Sequence, residues 1–253
     1  MGHIIAILNQ KGGVGKTTTA INLATYLAKM GSQVLLVDLD PQGNATSGLG
    51  LAKQDIAAGT YELLLASKTI DQVILPVPNE PDLYIVPTGQ GLAAAELELV
   101  NVPDRERSLK RALASSTHDY VIIDCPPALS LLTVNALTAA TSLLIPVQSE
   151  YYALEGLTQL LEVTQQVRQG LNPNLELLGV LLTMYDSRTS LSEQVKVEVA
   201  QYFNDKVFET VIPRNVRLAE APSHGQAISS YDKWSKGARA YKQLAKEVHK
   251  RLG

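Results

Sequence analysis

An open, mostly parallel α/β sheet with helices on both faces is the fold class this sequence predicts, and three observations carry the prediction. Residues 4–8, 33–38, 120–124, 142–147 and 176–183 are short, nearly unbroken apolar runs, the pattern of strands buried on both faces. Helical periodicity at 16–30, 130–139 and 153–169 separates neighbouring runs, as the crossovers of a parallel sheet require. A glycine-rich loop joins the first strand to the first helix, and folds of this class take ligands at the carboxyl ends of their strands.

The elements follow in order. After the strand from Ile4 to Leu8 and the glycine loop, a helix at 16–30 places Ala20, Leu23, Ala24, Leu27 and Ala28 on one side, and Gly31 ends it. Residues 33–38 form the second strand, so 4–38 make a βαβ unit. The polar stretch from Pro41 to Gly50 reads as a loop. Short helices are expected near 60–66, 69–74, 90–99 and 104–115, with a strand at 83–86. The strand at 120–124 is broken by Pro126 and Pro127. A helix at 130–139, a strand at 142–147 and a helix at 153–169 follow. The rest is a strand at 176–183, a helix at 190–203, a short strand at 207–212 and a last helix at about 235–251. No repeat, low-complexity tract or dividing linker interrupts the chain, so a single domain over 1–253 is expected.

Composition excludes several classes. Hydrophobic residues make up 45% and charged residues 19%, ordinary for a soluble globular protein, and no apolar run approaches a membrane span. Nothing at the N-terminus resembles a signal peptide. Cys125 is the only cysteine, so an intrachain disulfide is impossible and a cytoplasmic location is expected. The net charge of −3 argues against a nucleic-acid binder, but residues 181–253 hold 12 Lys/Arg against 8 Asp/Glu. That asymmetry permits a local basic face. His3, His118, His224 and His249 show no metal-ligand spacing.

The chemistry concentrates at the first loop. Gly12, Gly13, Val14, Gly15, Lys16, Thr17 and Thr18 allow a tight turn whose N–H groups converge at a helix N-terminus, a cradle for polyphosphate. Lys16 would reach the β- and γ-phosphates of ATP, and the Thr17 hydroxyl would ligate Mg²⁺. The usual string G-x-x-x-x-G-K-[ST] is broken here, because Gln10 replaces its first glycine and a second lysine, Lys11, precedes the glycines. Asp38, Asp40 and Asp124 end two other strands, the pattern that holds Mg²⁺ directly or through water. Asp40 opens a loop that can close over the γ-phosphate, which makes it the candidate for orienting the attacking water. Asp38 lies further inside the strand and acts at one remove.

The variant K-G-G-x-G-K-[ST] resembles the deviant Walker A ATPases, the group of ParA, MinD and the nitrogenase iron protein. Within that group the chain is similar to the ParA/Soj partition ATPases in DLDPQGNATSG (38–48), DCPP (124–127), PVQSEYYALEG (146–156) and VIPRNVRLAEAPSHG (211–225). The resemblance spans nearly the whole chain and begins at the first strand, so the N-terminal helix-turn-helix extension of larger plasmid ParA proteins is not expected. It implies an ATP-bound face-to-face homodimer that binds double-stranded DNA without sequence preference on the nucleoid. A ParB-type partner would stimulate hydrolysis and release. The same resemblance implies that Lys11 reaches the partner's phosphates, that Pro213 and Asn215 hold the adenine, and that Arg188 and Arg217 contact DNA.

The final helix carries Lys236, Arg239, Lys242, Lys246 and Lys250 in one sector, with Tyr241, Leu244, Ala245, Val248 and Leu252 opposite. Three readings stand: a docked surface helix, a DNA-facing helix, and a MinD-like membrane-surface helix. The last is disfavoured because the stripe lacks Phe and Trp, so no stable membrane association is expected. An electron-transfer role would need two cysteines per subunit, and a metabolic ligase or kinase would need a substrate pocket. Positioning of a protein cargo by a ParA-like ATPase is a further alternative.

Overall fold

The computed structural model describes residues 2–89, 91–150 and 156–253. Its strands are β1 (His3–Ile7), β2 (Val34–Asp38), β3 (Leu75–Pro76), β4 (Leu83–Val86), β5 (Tyr120–Asp124), β6 (Ser142–Gln148) and β7 (Glu176–Thr183). They form one sheet in the order β3-β4-β2-β5-β1-β6-β7. All neighbouring pairs are parallel except β3 with β4.

The unbroken apolar runs are explained by burial on both faces. In β1, Ile4 and Ala6 join one core cluster while Ile5 and Ile7 join the other. In β2, Leu35 and Val37 oppose Val34 and Leu36 in the same way, and in β5, Val121 and Ile123 oppose Tyr120 and Ile122. Helix Lys16–Ala28 lies on the second face, and the C-terminal helix Lys236–Leu252 packs on it. Tyr241, Leu244, Ala245 and Val248 of that last helix are buried in the same cluster. Its apolar stripe is therefore core, which removes the face that a membrane-surface helix needs.

Most predicted elements appear, several with the expected bounds: β4, β5, β7 and helix Ser190–Phe203. Two expectations are corrected. The loop at 41–50 contains a helix, Asn44–Gly48, entered through Gly43 in the left-handed region (φ 58°). The expected strand at 207–212 makes only isolated bridges, Val180 with Val207 and Tyr185 with Pro213. Its backbone bonds β7 at separate points, the Phe208 and Ile212 N–H groups donating to the Val180 and Leu182 carbonyls at 3.0 and 2.8 Å. It also meets side chains of the last helix: Glu247 accepts from the Glu209 and Thr210 N–H groups at 2.8 and 3.0 Å, and Arg251 donates to the Val207 carbonyl at 2.7 Å. The two-residue β3 and the helices Val216–Glu220 and Ile228–Tyr231 carry too few residues to show periodicity. Of the helix expected at 153–169, the start lies outside the described residues, and Leu157–Gly170 is helical.

Candidate functional site

β1 lies between β5 and β6, so the glycine loop leaves the sheet with strand ends on both sides. Two buried side chains tie it down. Asn9 donates from Nδ2 to the Pro146 carbonyl at 2.7 Å and accepts from the Lys11 N–H at 3.0 Å. Thr183, at the end of β7, donates from Oγ1 to the Val14 carbonyl at 2.8 Å. Gly13 and Gly15 take φ values of 76° and 89°, a backbone region that strains any residue with a Cβ. The space beside Gly12 and Gly13 is open, with no heavy atom within 4 Å of a built Cβ.

Lys16 opens the following helix and is only 7% exposed, its Nζ donating to the Lys11 carbonyl at 3.0 Å. Burial lowers its pKa, and Asp124, Cys125 and Asp40 act the other way. Lys11 is different. Its Nζ sits at the rim, 3.0 Å from Glu150 Oε2, with a side chain 42% exposed.

Asp124 ends β5 in register with Asp38 on β2 and Ile7 on β1. It is fully buried, and among the described residues neither carboxylate oxygen has a hydrogen-bond partner. Burial pushes its pKa well above the carboxylate range and Asp38 pushes it further, while Thr17 and Lys16 offset part of the rise. An orphaned buried carboxylate is costly until a cation or proton completes it. Among the described residues no three His, Cys, Asp or Glu side chains converge as a metal cage. The donors suit Mg²⁺, which takes one or two carboxylates and draws its remaining ligands from phosphate and water.

Asp38 is equally buried but fully engaged. Its Oδ2 accepts from the Thr46 N–H at 2.8 Å and hydroxyl at 2.6 Å, and its Oδ1 faces the Asp40 N–H at 3.3 Å. Burial raises its pKa to about 6 against the pull of those donors. Asp40 accepts from the Gln42 N–H at 2.9 Å and lines a cavity of about 340 Å³ together with Gly12, Gly13, Gly15, Lys16, Thr17 and Thr18. A second, more apolar cavity of about 320 Å³ includes Pro213, Asn215, Leu218 and Tyr241. The two share Gly15, Thr18 and Met184, so they adjoin, one sized for phosphates and the other for a base.

The structure thus brings together ten of the predicted positions from four separated segments: the 12–18 loop, Asp40, Asp124 and the 213–215 stretch. Val14 departs from the rest of its loop: its side chain is buried and lines neither cavity. Arg188 and Arg217 line neither cavity and are already paired. Arg188 donates to both oxygens of Asp186 at 2.8 and 2.7 Å, and Arg217 lies 2.9 Å from Glu220 and 3.6 Å from Asp232. Asn9, Thr183, Met184 and Glu150 escaped sequence reasoning because their partners lie far along the chain. Thr46 stood inside a quoted motif, yet nothing local signalled its bond to Asp38.

With the second lysine ahead of the glycines and the strand-end acids gathered beneath them, the class is settled: a P-loop ATPase of the deviant Walker A type. Residues 2–177 match the family described as AAA domain. The chain is 57% identical to the sporulation initiation inhibitor protein Soj of Bacillus subtilis, covering 98% of each chain. It is 53% identical to the chromosome partitioning protein ParA of Myxococcus xanthus, over 99% of this chain and 89% of that one. Among solved structures, cobyrinic acid a,c-diamide synthase from Mycobacterium smegmatis with bound ADP and magnesium matches with a TM-score of 0.88 at 38% identity, covering 100% of this chain and 96% of that one. The chain belongs to the Soj/ParA family of chromosome-partitioning ATPases.

Proposed function

We propose that this single-domain ATPase closes into an ATP-bound homodimer that holds double-stranded DNA nonspecifically, and that a ParB-type partner triggers hydrolysis and release. The observation that carries this reading is the separation of the two lysines. Lys16 is buried inside its own cradle, whereas the Lys11 side chain is 42% exposed with its ammonium paired to Glu150, and on this reading it would exchange that carboxylate for a second subunit's phosphates. Lys16 and the loop N–H groups would hold the triphosphate, with Pro213 and Asn215 holding the base. Thr17 and Asp124 would hold Mg²⁺, with Asp40 at its edge through water. When bound, the ion neutralises charge on the β- and γ-phosphates. Phosphoryl transfer then needs mainly alignment of water and stabilisation of charge. Asp40 orients the water and Lys11 of the opposite subunit adds positive charge, so basal turnover is expected to be slow.

The C-terminal helix supports the DNA reading. Lys236, Arg239, Lys242, Lys246 and Lys250 are exposed, and among the described residues no carboxylate forms a salt bridge with any of them. Unpaired cations can neutralise phosphates without first breaking an ion pair. Arg188 and Arg217 would have to exchange their carboxylates for DNA. No described helix is long and apolar enough to cross a membrane, and a nucleoid-associated, cytoplasmic place fits a DNA-held dimer. Light scattering with ATP and magnesium tests the reading: the parent protein should double in mass, and Lys11→Ala should bind ATP yet stay a single subunit. A parent that never dimerises would overturn it.

A further inference from the structure

We propose that Thr46 is the positioning residue for Asp40, acting through Asp38. This rests on the reading of Asp40 as the carboxylate that aligns water. Thr46 is completely buried, and its hydroxyl extends the pairing of β2 with β4 past their ends. It donates to Asp38 Oδ2 at 2.6 Å and accepts the Thr88 N–H at 2.9 Å. Thr88 returns the bond, its Oγ1 donating to the Asp38 carbonyl at 2.6 Å, and Thr60 Oγ1 donates to the same carbonyl at 2.8 Å. The far oxygen of Asp38 faces the Asp40 N–H. The end of β2 is thereby pinned from the end of β4 and from helix Asn44–Gly48, and Asp40 is the second residue past Asp38.

The chemistry fits an ionised Asp38. Three donors converge on its side chain, and only a carboxylate accepts on all sides. A hydroxyl at 46 is equally specific, because it must donate to Asp38 and accept from Thr88 at once. Valine has the same shape and can do neither. Asp40 would keep its cavity wall and the bond from the Gly43 N–H to its carbonyl, but the Asp38 carboxylate facing its N–H would lose its closest donor. Misplacement of a catalytic group by about 1 Å can cost about a hundredfold in rate.

Steady-state hydrolysis and fluorescent-ATP binding on four variants test the idea. Thr46→Val should lower kcat by about tenfold or more while its ATP affinity stays near the parental value, and Thr46→Ser should restore kcat. If Thr46→Val does not fold, Thr88→Val removes the return bond and should show the same split. Parental kcat in the folded valine variants, or an ATP affinity that falls in step with kcat, overturns the proposal. Asp40→Ala serves as the reference. If it is inactive and Thr46→Val is fully active, only the role of Thr46 fails, whereas normal hydrolysis by Asp40→Ala would sink the reading of Asp40 itself.

Discussion

Lys16 and Lys11 stand five positions apart in different surroundings, one buried and one exposed, and under the proposed function they serve different steps. Lys16 is packed beside Asp124, so its ammonium has nowhere to go but into the cradle. A hydrogen bond to a charged group contributes about 1.5–3 kcal/mol, so Lys16→Ala should weaken ATP binding by roughly tenfold to a hundredfold, read by fluorescent-nucleotide titration. Asp40→Ala should bind ATP and dimerise normally but release phosphate at about a hundredth of the parental rate or less, because closure survives when the water is no longer aligned. Dimerisation by light scattering and phosphate release in one preparation would separate the two steps.

The glycine loop and the strand-end acids were legible at this scale because their chemistry is written in consecutive residues. Asn9, Thr183 and Thr46 were not. Asn9 and Thr183 bond segments 137 and 169 positions away, and the Thr46 hydroxyl reaches Thr88 across 42 positions as well as Asp38 across eight, pairings that no local pattern encodes.

The C-terminal helix shows the same contrast at the scale of an element. Its amphipathic pattern was plain in the sequence, but the partner of its apolar face was not. Leu244 is fully buried against the second core cluster, so Leu244→Ala should cost about 2–5 kcal/mol, measured by denaturant unfolding. Gly237 also has a packing role, since an added Cβ would lie 2.7 Å from Leu218, which lines the base cavity. Gly237→Ala should therefore weaken ATP binding without touching the phosphate cradle. Glu247 gives a pH signature. Burial pushes its pKa up, but the Thr210 and Glu209 donors and Arg251 outweigh that and hold it below the ordinary value. The stability it contributes is complete above the unfolded glutamate value of about 4.3 and is lost as pH falls through the lower folded value. Melting temperatures between pH 7 and pH 3 should show an acid-side loss that is smaller in Glu247→Gln.

For the whole molecule, net charge and function seem opposed only until charge is mapped onto the surface. The chain carries −3 overall, yet one helix presents lysines along its exposed side that make no salt bridge among the described residues. Nonspecific DNA binding through them should fall steeply with salt, each neutralised phosphate adding about −0.9 to the slope of log K against log salt. Lys246→Ala should weaken binding uniformly across sequences and reduce that slope by about one, with ATP turnover in the absence of DNA unchanged. Arg217→Glu should weaken DNA binding further, by placing a third carboxylate beside Glu220 and Asp232.

The amino-acid sequence by itself determined the sheet class, most of the elements and the phosphate cradle, because periodicity, glycine geometry and a lysine beside a helix N-terminus are local properties. It could not decide between a loop and the helix Asn44–Gly48, nor replace the expected strand at 207–212 with a segment held by Glu247 and Arg251. Those outcomes depend on which side chains arrive from elsewhere. Among the described residues, tertiary structure left both Asp124 oxygens without a hydrogen-bond partner while giving Asp38 three donors, and the two sit side by side at the same register. That difference is set by where Thr46 is carried rather than by the two aspartates themselves, and under the proposed function it leaves Asp124 for the cation and Asp38 for the scaffold.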